Sequence, residues 1–173
     1  MTKPTHTAPQ YFDTFDSPVG EMIVVIDEQG LRHVDFQQCA RPLAMESTWV
    51  RNADACREAR QQLQAYFAKE LRQFDLPLAP RGTEFQQVVW QELAKVDFGT
   101  LSTYGQMAKH LGRPTASRAI GMANGRNPLS IILPCHRVVG ANKKLTGYRG
   151  GLDIKTFLLK HEGFQIEDQT LMV

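Results

Sequence analysis

Cysteine is scarce in this chain, and its three cysteines, Cys39, Cys56 and Cys135, are widely spaced with no CxxC pair. That odd, scattered set argues against a disulfide framework and a structural zinc site, and it points to a reducing, intracellular compartment. No uninterrupted apolar run approaches membrane-spanning length, so no membrane partner is expected. Met1 to Gln10 are polar and lack the apolar core of a secretion signal, so cytoplasmic residence (nuclear in a eukaryote) is expected. Internal repeats and low-complexity tracts are also missing. The most telling shortage is of acid. Between residues 100 and 160 the one acidic side chain is Asp153, against ten basic ones: Lys109, Arg113, Arg118, Arg126, Arg137, Lys143, Lys144, Arg149, Lys155 and Lys160. The formal net charge of +2 hides this asymmetry, because residues 1–82 carry nine basic and eleven acidic side chains and residues 83–173 carry eleven and seven. Solvated faces usually mix both signs. A one-sided stretch is the footprint of a polyanion partner, and nucleic acid is the expected one.

A length of 173 residues suits one large domain or two small ones sharing an interface. Tyr11 to Phe15, Met22 to Ile26 and Leu31 to Phe36 read as strands of a small antiparallel sheet, divided by Ser17-Pro18-Val19-Gly20 and Asp27-Glu28-Gln29-Gly30. Residues 37–52 carry no clear period. Asp54 to Glu70 has Ala55, Ala59, Leu63, Tyr66 and Phe67 at helical spacing. Leu76 to Gly82, broken by two prolines, reads as a linker and divides the chain into 1–82 and 83–173. Thr83-Glu84-Phe85-Gln86 opens a helix to about Val96 with a capping box, and Phe85, Val88, Val89 and Leu93 form its apolar face. Thr103-Tyr104-Gly105-Gln106 repeats the pattern and starts a short helix to Leu111. Thr115 can cap another to about Asn124, making a helix-turn-helix candidate. Ile154 to Glu162 reads as a last helix, stopped by Gly163.

Chemistry concentrates in Pro134-Cys135-His136-Arg137-Val138, which sets a sulfur nucleophile beside a general base. Ile131-Ile132-Leu133 before it and Val138-Val139-Gly140 after it predict a pair at the end of a short buried strand. A buried structural cysteine beside a satisfied histidine is the alternative. Ala116, Ser117, Ala119, Gly121 and Ala123 give the second helix of the pair a smooth surface, on which Arg118 is the one long charged side chain before Arg126. Such a helix can approach a backbone or groove floor closely, and its lone arginine can enter a duplex where a base has left it. Tight packing within the domain explains the small residues equally well. Glu162 falls in a last helical turn, where the dipole disfavours an anion, so a partner such as His136 or plain solvation must account for it.

The run Asn127-Pro128-x-x-Ile131-x-x-Pro134-Cys135-His136-Arg137-Val138 resembles the signature of the O6-alkylguanine-DNA alkyltransferases (methylated-DNA–protein-cysteine methyltransferases). Tyr104, Arg118-Ala119-Ile120-Gly121, Gly147-Tyr148-Arg149-Gly150-Gly151 and Leu158-Leu159-Lys160-His161-Glu162-Gly163 are similar at matching separations. The resemblance is strong over 83–165 and looser over 1–82. It implies an α+β fold, in which an N-terminal ribonuclease H-like roll of mainly structural role packs on a helical domain that binds DNA and accepts the alkyl group. It further implies a monomer that meets duplex DNA containing O6-alkylguanine through the minor groove, with cooperative binding on DNA left open. Ala116, Ser117, Arg118, Ala119, Gly121, Ala123 and Arg126 would lie on the DNA. Arg118 would replace the flipped base, and Tyr104 would crowd its phosphate. Cys135 would accept the alkyl group, His136 would deprotonate it through a water, Glu162 would orient His136, and Asn127 would hold the turn. Pro134, Val138, Tyr148 and the backbone at Arg149 would line the pocket, with Lys155 nearby. Nothing in the sequence suggests a cofactor, and the zinc found in some relatives of that family has no evident ligand set here. Phe157 stands where the family often has Trp, and Val96-Asp97-Phe98-Gly99 lacks a proline common there.

A thioether on Cys135 lacks the electrophilic carbonyl through which an acyl-enzyme hydrolyses, so each molecule is expected to react once. Three rival readings remain. A cysteine hydrolase would need a distant His and an oxyanion site, and it leaves the basic stretch unexplained. A non-catalytic lesion binder of the same fold would carry another residue at Cys135. A plain helix-turn-helix regulator gives the Cys-His pair no task.

Overall fold

A computed structural model describes residues 8–172 of the chain, so the polar start at 1–7 lies outside the described residues. β1 (Tyr11–Ser17), β2 (Gly20–Asp27) and β3 (Gly30–Phe36) form the expected meander. Gly30 is fixed by sterics: its φ is 140°, and a Cβ there would meet the Pro77 carbonyl oxygen at 2.5 Å. The sheet is mixed, because β4 (Val50–Arg51) adds a fourth strand parallel to β1, giving the order β3-β2-β1-β4. β2 is buried on both faces. Met22 and Val24 join the main core, while Ile23 and Val25 pack with Phe12 and Trp49. Trp49, with Leu43 beside it, is why residues 37–52 show no period: this segment is a cover laid over the second face of the sheet.

α1 (Arg57–Phe67) buries Ala59, Leu63 and Tyr66. It starts later than its apolar spacing predicts, because Asn52 Oδ1 accepts the Ala55 N–H and closes a turn first. The proline-broken linker is not free. Leu31 N–H donates to Pro77 O (2.9 Å) and Ala79 N–H to Leu31 O (2.9 Å), so it lies along the β3 edge.

α2 (Glu84–Leu93), β5 (Ser102–Thr103) and α3 (Tyr104–His110) follow, and both helices open with the complete capping box. The buried face of α2 is Val89, Trp90 and Leu93; Val88 is 37 % exposed and lies off it. α4 (Ser117–Gly125) is capped by Ala116 without a side-chain bond, since Ala116 N–H turns back to Arg113 O and leaves Thr115 outside. Trp90 Nε1–H donates to Ala123 O at 2.9 Å and ties α4 to α2. β6 (Val138–Val139) pairs in parallel with β5, and α5 (Leu152–His161) precedes a hairpin of β7 (Gln165–Glu167) and β8 (Thr170–Met172) that shows no sequence signal of its own. Met22, Phe36 and Tyr66 share one apolar cluster with Trp90, Ile120 and Leu158, so the two halves of the chain are packed through a common core.

Candidate active site

The segment leading to Cys135 is a wired turn, not the buried strand expected from its apolar run. β3 supplies the outer anchor: Val34 N–H donates to Pro128 O (2.9 Å), and Ser130 N–H donates to Val34 O (3.0 Å). Ile131 then adopts φ 73°, a conformation that β-branched residues rarely take. Cys135 N–H closes back on Leu133 O (2.8 Å) around Pro134, at φ −82° and ψ 64°, which is an inverse γ-turn. Asn127 supplies the inner anchor. Its Nδ2 donates to Leu133 O (2.7 Å) and to Cys135 Sγ (3.2 Å), and its Oδ1 accepts from Leu129 N–H (2.9 Å). These bonds give the backbone partners that a strand would have sought in a sheet.

Cys135–Arg137 form one turn of 3₁₀ helix, in which successive side chains diverge by about 120°. Cys135 therefore faces Asn127, while His136, wholly buried, turns its Nε2 to Glu162 Oε2 at 2.6 Å. His136 Nδ1 is buried without a hydrogen-bond partner among the described residues. Glu162 caps the C-terminal end of α5, where the helix carbonyls repel it, so its placement depends on donors from elsewhere. Arg137 Nε donates to Oε1 (2.7 Å), Arg137 Nη2 to Oε2 (3.2 Å) and Tyr66 OH to Oε2 (2.7 Å).

Burial pushes the Cys135 thiol up, opposed by the Asn127 hydrogen bond and the Lys155 charge. Burial also pushes His136 down, against the hydrogen bond and charge of Glu162. Burial alone would raise the Glu162 carboxyl, but His136 and Arg137 outweigh it and hold the group at about 2. The resting site is thus a thiol, a neutral imidazole and a carboxylate. Burial brings Lys155 down to about 8, against the pull of negative charge at Cys135. Its ammonium donates to Val138 O (2.9 Å) and Thr146 O (3.2 Å), joining β6 to the loop that follows.

Tyr104, Gly121, Asn124, Cys135, Tyr148 and Arg149 line a cavity of about 20 Å³. That is room for about one water, so a purine enters only if the walls move. Val138 is buried in β6, with its carbonyl on Lys155. Pro134 instead lines a larger cleft of about 430 Å³, shared with Arg72, Phe98 and Arg137, that does not reach Cys135. The Arg149 guanidinium leaves the cavity for Asp35 on β3 (Nε to Oδ2, 3.0 Å). Beside it, Phe36 abuts Gly150 so closely that a Cβ there would lie 2.7 Å from the ring.

α4 presents Arg118 and Ala119 to solvent, with Ala116, Ser117 and Gly121 half-buried and Arg126 exposed at its end. Ala123 does not share that face; it is buried where α4 meets α2. The cationic surface is smaller than the sequence count. Arg137 and Lys155 are interior and Arg149 is paired with Asp35, leaving seven of the ten exposed. Among the described residues no group of three or more His, Cys, Asp or Glu side chains could hold a metal ion.

Two residues of the site carry no reading in the sequence. Arg137 counts there as one more surface cation, and charge counting cannot tell an exposed guanidinium from a buried one. Tyr66 counts as one apolar position of α1, and nothing local links it to a carboxylate 96 residues away.

The family described as "6-O-methylguanine DNA methyltransferase, DNA binding domain" matches residues 84–164, and its "ribonuclease-like domain" matches residues 10–80. The methylated-DNA–protein-cysteine methyltransferase of Methanosarcina acetivorans is 54% identical over 153 residues, covering 88% of this chain and 98% of its own. That of Haemophilus influenzae is 41% identical over 155 residues, covering 88% and 86%. The crystal structure of Mycobacterium tuberculosis OGT in complex with DNA superposes with a TM-score of 0.82 at 42% identity, covering 88% of this chain and 92% of that one. With both of its parts matched and relatives similar over nearly their whole length, the chain belongs to the methylated-DNA–protein-cysteine methyltransferase family.

Proposed function

We propose that this protein reverses O6-alkylguanine damage in duplex DNA by moving the alkyl group irreversibly onto Cys135, once per molecule. α3 and α4 lie on the minor groove, with Ala116, Ser117, Ala119 and Gly121 allowing close approach. Arg118 occupies the space of the flipped nucleotide, and Tyr104 presses on its phosphate. The base enters between Tyr148, Val138 and the Arg149 backbone. His136 Nδ1, through one water, takes the Cys135 proton, and the thiolate attacks the alkyl carbon in line. The C–S bond forms, the O6–C bond breaks, and guanine leaves with the electron pair. A proton equivalent to the one lost from the thiol returns to guanine N1 as the lactam is restored. Glu162 holds His136 and stabilises its protonated form, and Lys155 stabilises the thiolate.

The observation that carries this reading is a thiol hydrogen-bonded to Asn127 one residue from a His136–Glu162 pair, beside an exposed helix bearing Arg118. The unpartnered Nδ1 supports the water relay. The test is mass spectrometry after incubation with a duplex containing O6-methylguanine. One methyl group on the peptide with Cys135, and one repaired base per protein, are expected. Methyl on another residue, or continued turnover by unmodified protein, overturns the reading.

A further inference from the structure

Glu162 Oε2 is shared by two strong donors, His136 Nε2 at 2.6 Å and Tyr66 OH at 2.7 Å. The first lies in the Cys135 turn. The second comes from α1, in the half of the chain to which the family resemblance assigns a mainly structural role. Tyr66 is fully buried and held firmly. Its ring meets those of Phe67 (5.3 Å), Phe74 (5.8 Å), Phe98 (6.2 Å) and His161 (5.0 Å), and its carbonyl pairs with His161 Nε2 at 2.8 Å. A phenylalanine would satisfy all that packing, so the hydroxyl serves Glu162 alone.

We infer that Tyr66 is a positioning residue for alkyl transfer: its hydroxyl withdraws charge from the oxygen that holds His136 and thereby sets the pH at which His136 can take the Cys135 proton. This inference rests on the proton path proposed above. A carboxylate oxygen that accepts a second hydrogen bond is a weaker acceptor for the first. Without Tyr66, Glu162 would stabilise the His136 imidazolium more, and His136 would protonate at higher pH. The other groups around the imidazole are Arg137 on its own turn, Lys155 on α5 and Cys135, with Tyr148 beside the thiol and His161 beyond Tyr66. None of these is changed by removing one hydroxyl from α1. Tyr66 itself stays a donor, since burial and then the Glu162 charge push its ionisation well above the ordinary range.

The test follows Cys135 modification by iodoacetamide against pH, read by mass at the peptide containing that residue, in the full chain and without DNA. It therefore reports on the proton path even if the substrate assignment fails. Tyr66→Phe is expected to move the acid-side midpoint up by about half a pH unit with the plateau rate kept within about threefold. Incorporating 3-fluorotyrosine at Tyr66, a stronger donor of nearly the same shape, is expected to move it down. In a Glu162→Gln background neither change should move it further. An unchanged midpoint in both variants, or a loss uniform across pH, makes Tyr66 a packing residue and overturns the inference. If Tyr66→Phe does not fold, the fluorotyrosine shift alone decides.

Discussion

Asn127 does more for the thiol than any other single side chain, because one amide both shapes the turn and touches the sulfur. Its donor opposes the rise that burial imposes on Cys135. Asn127→Asp keeps the shape and the bond to Leu129 N–H but replaces that donor with an anion. A charge of the same sign beside a thiolate raises its pKa, so modification of Cys135 by iodoacetamide at neutral pH should slow by about tenfold or more, one pKa unit being a factor of ten. An unchanged rate, measured at the Cys135 peptide, would remove Asn127 from the activation of the thiol. Among these residues, legibility tracks sequence distance. Cys135 and His136 are adjacent, and Asn127 lies within the same short motif, so their chemistry shows in one line of text. Arg137 shows too, but with the wrong environment. Tyr66 is invisible, since its role exists only once α1 is packed against α5.

At the scale of elements, the capping boxes at Thr83 and Thr103 were fully legible because they are local: four residues settle both hydrogen bonds. The run Ile131 to Leu133 misled for the complementary reason. Its apolar residues are buried, as a strand's would be, but Asn127 and Val34 bend the backbone into a turn from outside the run. The loop Gly147 to Gly151 is likewise positioned by β3, through Asp35–Arg149 and the Phe36–Gly150 contact. α4 stands apart, because Arg118 is exposed and forms no ion pair among the described residues. Arg118→Ala should therefore leave the unfolding free energy within about 0.5 kcal/mol of the parent. It should slow methyl transfer from duplex DNA while leaving iodoacetamide modification of Cys135 unchanged. If duplex repair keeps its rate, Arg118 does not replace the flipped base. If both reactions fall together, the substitution has disturbed the fold.

For the whole molecule, Glu162 joins parts distant in sequence: α1 through Tyr66, the Cys135 turn through His136 and Arg137, and α5 through its own backbone. A carboxyl held at about 2, against an ordinary value of 4.5, makes this junction a source of pH-dependent stability. Between those values the unfolded chain binds more protons than the folded one, so stability rises with pH. The contribution is fully present above about pH 4.5, shrinks as the pH falls, and is gone near pH 2. For a group this buried it is on the order of 3 kcal/mol. Glu162→Gln cannot titrate, and at neutral pH it leaves the buried Arg137 guanidinium without its anion, which costs about 3–5 kcal/mol. Asp27, also held low through Arg32, and His33, held neutral by burial, give both proteins a common acid slope. Urea unfolding of the parent should thus weaken more steeply than that of Glu162→Gln below about pH 4.5, and the two stability curves should converge towards pH 2. Curves that stay parallel from pH 6 to pH 3 would mean that Glu162 is not held as an anion by the two halves of the chain.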